Sequence, residues 1–164
     1  MTQAVKYGIY TGLITFLWFI IAYFSGIHNS PSTKYVELMS FLFLISGILF
    51  SMQQTKLKEK GGFITYKEVV RAGVITTFLA ALILATGLYF YYRFINTELI
   101  NYTLSEAKQY WKNQQQTSAF ISANLERLKA LSTPDKQAYS SFMSALILGM
   151  FFSLISAFFI KNTD

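Results

Sequence analysis

The chain has 164 residues, and its composition is 53% hydrophobic, 18% aromatic and only 13% charged. Because about 25% of the residues in an average soluble domain are charged, this composition argues against a soluble enzyme, a disordered segment and a fibrous repeat. Cysteine is absent, which excludes disulfides, thiol catalysis and cysteine metal sites, and the single histidine, His28, cannot form a histidine cluster. The net charge of +6 calls for no nucleic-acid partner, because basic residues also serve to orient membrane proteins.

Four long stretches of the chain carry almost no charge. They cover residues 7–24, 36–52, 72–92 and 142–160. Each has 17 to 21 residues with Glu37 as the one charge among them, and a helix needs about 20 apolar residues to cross a bilayer. A soluble bundle of such helices would lack a polar face for water, and the runs lack the alternation of a β-barrel. The sequence therefore predicts an all-α integral membrane four-helix bundle. We expect the spans at about 5–24, 36–52, 69–93 and 139–160.

The first predicted helix begins close to the first residue of the sequence. A secretory signal peptide is the alternative, but the apolar stretch is longer than a usual signal-peptide core and only Lys6 precedes it. The sequence also lacks a convincing small-residue cleavage site before Ser30, so we expect this helix to be retained. Its Gly8 and Gly12 form a GxxxG pair, the spacing that lets two membrane helices approach closely.

The link between the second and third predicted helices, at 53–71, is strongly basic. It carries five Lys and Arg residues in 19 positions, whereas the link at 25–35 carries only Lys34. By the positive-inside rule, this difference predicts that both termini and the basic link lie in the cytoplasm. The expected location is the inner membrane of a bacterial cell. The third link, at 93–139, holds six basic residues, but they are spread over 47 positions and mixed with acidic residues.

Two sequence patterns mark helix starts. Thr65 and Glu68 have the spacing of a capping box, so the third helix is expected to begin just after Thr65. Thr133 is suited to cap a further helix, and Pro134 suits the first helical position. Both helices are thus expected to begin outside the membrane and to run into it.

The insert at 94–138 is the only sizeable water-facing part of the sequence. Its amphipathic stretches, at 98–116 and 119–131, predict two helices that lie on the membrane surface or against each other. In the orientation chosen, this helical insert is extracytoplasmic. The aromatic run at 89–92, at the end of the third helix, is expected to anchor in the headgroup layer on the same side.

Small residues at four-residue spacing predict where the helices pack, because membrane helices associate by close approach of small side chains. The predicted packing residues are Gly8 and Gly12 in the first helix, Gly73, Thr77, Ala81 and Ala85 in the third, and Ser141, Ala145, Gly149, Ser153 and Ala157 in the fourth. They mark the seams of a bundle or of a dimer, and the pattern alone leaves both open.

The sequence offers no catalytic constellation. The four apolar stretches hold no Asp, Lys, Arg or His, which pumps, channels and membrane enzymes usually place at membrane depth. Glu98 and Glu106 are two helical turns apart, but a solvated helix face explains them, and a solvated loop explains His28. We therefore predict no enzymatic activity, no cofactor and no bound metal.

Two short motifs carry a resemblance to a known family. The first is Gly-Phe-Ile-Thr-Tyr-Lys-Glu at 62–68, running into Gly73, and the second is Tyr-Tyr-Arg-Phe-Ile-Asn-Thr-Glu-Leu at 91–99. In these motifs and in its overall plan, the chain resembles the bacterial family catalogued as domain of unknown function 4199, small proteins with four predicted transmembrane helices. Thr97 departs from the family pattern, in which a proline often follows the asparagine, and this leaves the turn less rigid. The resemblance implies a fold and a membrane location but no activity.

The leading functional hypothesis is a non-enzymatic accessory or scaffold subunit of a membrane protein assembly, in contact with membrane lipids. Its partner would be another membrane protein or a second copy of the chain. A polyprenyl-phosphate-dependent glycosyltransferase is one specific version of that partner, by analogy alone. The alternative is a small-solute or lipid transporter that works as an oligomer and uses a path lined by hydroxyls such as those of Thr77, Thr86 and Ser153.

Overall fold

The regular secondary structure of the chain is helical. A computed structural model describes residues 1–27, 30 and 32–162, and the prediction for His28 lies outside these described residues. Within them the structure contains helices and no strands, which confirms the predicted all-α class. Long apolar runs favour this outcome because a helix satisfies its backbone hydrogen bonds within one segment.

The helices are α1 (Gln3–Phe24), α2 (Thr33–Gln54), α3 (Tyr66–Phe90), α4 (Leu99–Asn113), α5 (Ser118–Leu131) and α6 (Pro134–Ile160). Two of them run on into a π-helical turn, which is Thr55–Glu59 after α2 and Tyr91–Ile95 after α3. Four helices, α1, α2, α3 and α6, are long and apolar enough to span a membrane, as the uncharged stretches predicted. All four extend beyond their uncharged stretches, because polar residues continue each helix at one or both ends.

The first two helices are antiparallel. The side chain of Thr11 lies against Gly47, and the indole N–H of Trp18, further along α1, donates a hydrogen bond to the carbonyl of Val36, earlier in α2, at 3.0 Å. The contacts described below show that α3 runs parallel to α1 and that α6 runs antiparallel to α3. The four long helices therefore run alternately up and down.

The third helix is the centre of the arrangement. It packs against α1, α2 and α6, and its contacts with α1 and α6 are the most extensive in the molecule. One apolar cluster joins α2, α3 and α6 and includes Ile48, Met52 and Val69. A second cluster joins α1, α2 and α3 and includes Val36 and Leu88. Since α3 contributes to both clusters, it carries most of the packing that holds the long helices together.

The first and last described residues and the link between α2 and α3 meet at one end of the molecule. The amide of Ile64 donates a hydrogen bond to Asn162 Oδ1 at 2.9 Å, and the amide of Asn162 donates to the carbonyl of Ile64 at 3.2 Å. The amide of Gln3 donates to the carboxylate of Glu59. We call residues 1–6, 55–71 and 160–162 the basic end.

The fourth and fifth helices form a hairpin beyond the opposite end. The rings of Trp111 and Phe120 meet edge to face, with centroids 6.1 Å apart. All residues of α4 are described and none is buried, and Ile121 is the only buried residue of α5. The two helices thus pack chiefly on each other, and Leu99 at the base of the hairpin reaches the second apolar cluster.

The aromatic run at 89–92 differs from the prediction of a headgroup anchor. Tyr91 is fully buried, its hydroxyl accepts a hydrogen bond from the amide of Asn96 at 2.9 Å, and its ring meets that of Tyr23 with centroids 6.0 Å apart. Tyr92 is only 9% exposed, whereas Phe90 is 52% exposed. The π-helical turn continues α3 past its last regular turn, so two of the aromatic side chains close the core and only the others remain at its surface.

Candidate functional site

The seam between α3 and α6 brings two rows of small residues face to face. Gly73 lies against Ser153, and Thr77, one turn later in α3, lies against Gly149, one turn earlier in α6. A Cβ atom added at Gly149 would come within 2.7 Å of Thr77 Oγ1. Only a glycine fits there without movement, and the order of the contacts shows that the two helices are antiparallel.

The same seam loosens toward the hairpin. Ala81 and Ala145 are both buried in the first apolar cluster, and Ala157 at the far end of the row is completely buried. Ala85 and Ser141, which come next toward the hairpin, are only partly buried. Within one chain, the predicted rows on α3 and α6 therefore pack on each other over most of their length.

The two predicted glycines of α1 bring that helix against α3. A Cβ atom at Gly8 would lie 2.9 Å from Leu79 Cβ, and one at Gly12 would lie 2.8 Å from Ile83 Cβ. The contacts advance by one turn on both helices, so α1 and α3 are parallel. The GxxxG pair is used inside the chain, on a face of α3 different from the one that meets α6.

A buried group of hydroxyls, which we call the hydroxyl node, connects three helices. Ser51 Oγ and Thr76 Oγ1 are 2.5 Å apart and share a hydrogen bond. Thr76 Oγ1 also lies 3.1 Å from the carbonyl oxygen of Ala4 and 2.9 Å from that of Ala72. These contacts link α1, α2 and α3 and satisfy polar groups that would otherwise be costly in an apolar interior.

The three hydroxyls of the predicted transport path lie on different faces. Thr77 and Ser153 are fully buried in the α3–α6 seam, and Ser153 donates a hydrogen bond to the carbonyl of Gly149 at 2.7 Å. Thr86 is exposed and donates to the carbonyl of Leu82 at 2.8 Å. A single chain therefore does not unite these three side chains along one passage.

The two predicted helix starts differ in their chemistry. The carboxylate of Glu68 accepts hydrogen bonds from both the amide and the hydroxyl of Thr65 at 3.0 Å, and it pairs with the Lys60 ammonium. Thr133 occupies the N-cap position of α6, but its hydroxyl makes no capping hydrogen bond. Pro134 is the first residue of that helix, and its ring pre-sets the helical φ without a hydroxyl cap.

A cavity of about 560 Å³, which we call the α2–α6 groove, opens between these two helices on the hairpin side. Lys34, Glu37 and Gln137 line it where α2 and α6 begin. Ser140 and Ser144 follow along α6. The groove thus has charged and amide groups at one end and a row of serine hydroxyls along α6, and Ser40 and Tyr92 add hydroxyls from other elements.

Further along both helices the lining of the α2–α6 groove is apolar. Phe41 and Leu44 line it from α2, and Leu148 lines it from α6. Its volume lies within the range of about 300–1,000 Å³ that is typical of small-molecule sites. A polar entrance followed by an apolar interior is suited to an amphiphilic ligand.

Sequence reasoning missed this groove, although two signals were present. Glu37 is the only charge in the four uncharged stretches, and Ser140, Ser141 and Ser144 fall within about one turn of α6. Ser141 was predicted to pack in a helix seam, and it instead lines the groove together with Ser140 and Ser144.

Glu98 and Glu106, the two carboxylates spaced two helical turns apart, are surface groups. Glu98 lies just before α4, Glu106 lies on it, and both are exposed. In the part of the chain that the structure describes, no group of three or more His, Cys, Asp and Glu side chains is placed to hold a metal ion.

The hairpin exposes large apolar side chains to its surroundings. Tyr110 is 62% exposed, Phe120 is 43% exposed and Leu131 is 64% exposed. Tyr110 and Phe120 lie near the tip, on either side of the turn between α4 and α5, and the ring of Phe120 meets that of Trp111. These apolar side chains thus remain partly or largely uncovered on the hairpin.

Comparison with known proteins gives one match. A family model described as a protein of unknown function, DUF4199, matches residues 6–162, which is nearly the whole chain. No curated protein and no solved structure matches the sequence. The match agrees with the resemblance carried by the motifs at 62–68 and 91–99. The chain therefore belongs to the DUF4199 family.

Proposed function

We propose that this chain is an integral protein of the bacterial inner membrane that has no enzymatic activity and serves as an accessory subunit for another membrane protein. The observation that carries the proposal is the contrast between its parts. The long helices interlock through glycines and small side chains, whereas the hairpin packs chiefly on itself and leaves aromatic side chains uncovered.

A membrane location is supported by the outward faces of the long helices. Leu17 on α1 is 55% exposed, Phe151 on α6 is 57% exposed and Phe159 is 85% exposed. Soluble monomers rarely expose contiguous apolar surface of this kind, whereas acyl chains solvate it well. The four membrane-length helices supply the span that this surface requires.

The proposed orientation places the basic end in the cytoplasm. The first and last described residues and the α2–α3 link meet there, and together they carry most of the Lys and Arg residues that flank the long helices. Under the positive-inside rule, such a cluster stays on the cytoplasmic side. The hairpin then lies outside the cytoplasm.

The hairpin is the proposed contact surface for the partner. Two helices of 15 and 14 residues with one buried side chain form a marginal unit by themselves, because isolated short helices are barely stable in water. Contact of Tyr110 and Phe120 with the extramembrane part of another membrane protein would cover their rings. A polyprenyl-phosphate-dependent glycosyltransferase is one partner that fits this proposal, by analogy.

The transporter alternative needs an oligomer. Within one chain, the seam between α3 and α6 is filled by Thr77, Gly149 and Ser153, so a passage would have to form between copies. No specific contact in the described structure favours such an assembly over the accessory role.

The orientation is tested with single cysteines, because the chain has none of its own. Lys58→Cys marks the basic end and Gln114→Cys marks the tip of the hairpin. In spheroplasts, a membrane-impermeant maleimide should label Gln114→Cys at once and Lys58→Cys only after permeabilisation. The reverse pattern would contradict the orientation, and immediate labelling of both would contradict the membrane span.

The partner is tested with a photo-crosslinking amino acid at position 110 in native membranes. A single integral membrane protein should be captured repeatedly, and capture should fall when Phe120 is changed to Ala. Glu126→Ala on α5 is the matched control and should leave capture unchanged. Adducts with lipid alone or only with a second copy of this chain would contradict a heterologous accessory role.

A further inference from the structure

We propose that the α2–α6 groove binds one zwitterionic phospholipid whose headgroup carries a primary amine, a phosphoethanolamine lipid. The inference rests on the membrane location proposed above but does not depend on the hairpin or its partner. It assigns a ligand class to a cavity that the packing of the long helices leaves open.

The charges at the entrance of the groove match such a headgroup. Lys34 and Glu37 both line the cavity and lie three residues apart on α2, a spacing that places side chains on one helix face. Among the described residues, the one ion pair is between Lys60 and Glu68, so Lys34 and Glu37 are not paired with each other. The Lys34 ammonium lies 5.3 Å from the centroid of the neighbouring Tyr35 ring, a contact that leaves its charge without a counter-charge. A phosphate beside Lys34 and an ammonium beside Glu37 would supply the opposite charge to each, and a headgroup with no net charge matches this pair of opposite charges.

The hydroxyl wall supports the same headgroup. Ser140 and Ser144 line the groove from α6, follow Gln137 at intervals of about one turn, and are both exposed. Hydroxyl and amide donors are suited to the phosphate and ester oxygens that lie between the headgroup and the acyl chains of a phospholipid. The charged groups of the groove therefore lie at the level of the headgroup, and the hydroxyl donors follow at the level of the phosphate and ester oxygens.

The length of the groove corresponds to one leaflet. From Lys34 to Leu44 there are ten helical steps, and from Gln137 to Leu148 there are eleven, which amounts to about 15 Å along either helix. Half of a hydrocarbon core that is about 30 Å thick has the same depth. An acyl chain that follows Phe41, Leu44 and Leu148 would thus end near the middle of the bilayer, where the α3–α6 seam closes.

The test uses the purified full chain, stripped of lipid in mild detergent and examined by native mass spectrometry. Short-chain phosphatidylethanolamine, phosphatidylglycerol and phosphatidylcholine are the probes. We expect one phosphatidylethanolamine per chain, bound about tenfold more tightly than phosphatidylglycerol, because only the amine gains a charge-assisted hydrogen bond to Glu37. Phosphatidylcholine, whose ammonium cannot donate that bond, should bind more weakly than phosphatidylethanolamine.

Two charge variants separate headgroup recognition from general lipid affinity. Glu37→Gln should remove the preference for phosphatidylethanolamine over phosphatidylglycerol, and Lys34→Gln should weaken both lipids. Glu106→Gln and Lys112→Gln on the hairpin are the matched controls and should change neither. Equal binding by all four variants and the native chain would overturn the assignment of the headgroup.

A steric pair locates the lipid. Ser144→Trp should fill the groove and abolish the one-to-one complex, whereas Ile147→Trp, on an exposed face of the same helix outside the groove, should not. Loss of lipid in both variants, retention in both, or binding of several lipids without preference would indicate annular association only and overturn the proposal. If the cysteine labelling succeeds while this test fails, the membrane location stands and the ligand assignment falls.

Discussion

The two halves of α6 are packed in contrasting ways. Toward the basic end, Gly149 and Ser153 interlock with α3 so closely that a Cβ atom at Gly149 would collide with Thr77. Toward the hairpin, Ser140 and Ser144 border the α2–α6 groove, and a shallow apolar cavity of about 430 Å³ opens between α3 and α6 on another side. The same helix therefore packs tightly at one end and borders open space at the other. The small residues occur in both halves, so composition alone does not predict this difference.

The largest effect is expected where the α6 seam is tightest. Gly149→Leu would force a branched side chain against Thr77 and should separate α6 from α3, lowering the free energy of unfolding by about 3 kcal/mol. Unfolding in mixed micelles of dodecyl sulfate and dodecyl maltoside measures this change. Met150→Leu, at a 41% exposed position next to it, is the control and should change stability little. Similar losses in both variants would mean that the seam is not the point of contact.

A smaller effect is expected at the hydroxyl node. Thr76→Val keeps the shape of the side chain but removes its hydrogen bonds to Ser51 and Ala4, and we expect a loss of about 1 kcal/mol in the same assay. Thr86→Val is the control, because that hydroxyl bonds only within its own helix. Equal changes in the two variants would show that the node adds nothing across helices.

The sequence predicted the helices better than the spaces between them. Uncharged runs determine where spans lie, because a single charge at membrane depth is costly, and this gave the four long helices. The rows beginning at Gly8, Gly73 and Ser141 predicted small-residue seams but not which helix each would meet. Which helix a row packs against depends on how α3 is rotated about its axis between its neighbours. The periodicity of residues within a single helix contains no information about that rotation.

The same reasoning explains why the groove and the buried tyrosine were missed. Ser140 and Ser144 share the size of seam residues, so only the open space between α2 and α6 makes them part of a cavity wall. Tyr91 has the composition of a headgroup anchor, but its hydroxyl finds Asn96 five residues later along the π-helical turn. Both outcomes depend on the relative placement of elements, which residue type does not specify.

A modest effect is expected at the start of α3, in the basic end. Glu68→Gln weakens the capping box with Thr65 and removes the exposed ion pair with Lys60, and we expect a small loss of stability, below that of Thr76→Val. The loss caused by this substitution should be smaller at high salt than at low salt, because salt screens the ion pair and so weakens what the native chain has to lose. Glu106→Gln on the hairpin is the control. A loss as large as that of Gly149→Leu would mean that the basic end is less hydrated than its exposed side chains indicate.

The smallest effect on the stability of the long helices is expected from a substitution in the hairpin. This prediction tests whether the hairpin is independent of the packed helices. Trp111→Ala removes the edge-to-face contact with Phe120, so amide hydrogen exchange across 99–131 should accelerate because that contact is a large part of the hairpin's packing. The unfolding midpoint of the long helices should stay the same, as the hairpin packs chiefly on itself. Tyr110→Ala, one residue earlier and 62% exposed, is the matched control and should leave exchange unchanged in the isolated chain. A shifted midpoint in Trp111→Ala would show that the hairpin holds the membrane helices together. It would then be part of the packed core rather than a separate surface for a partner.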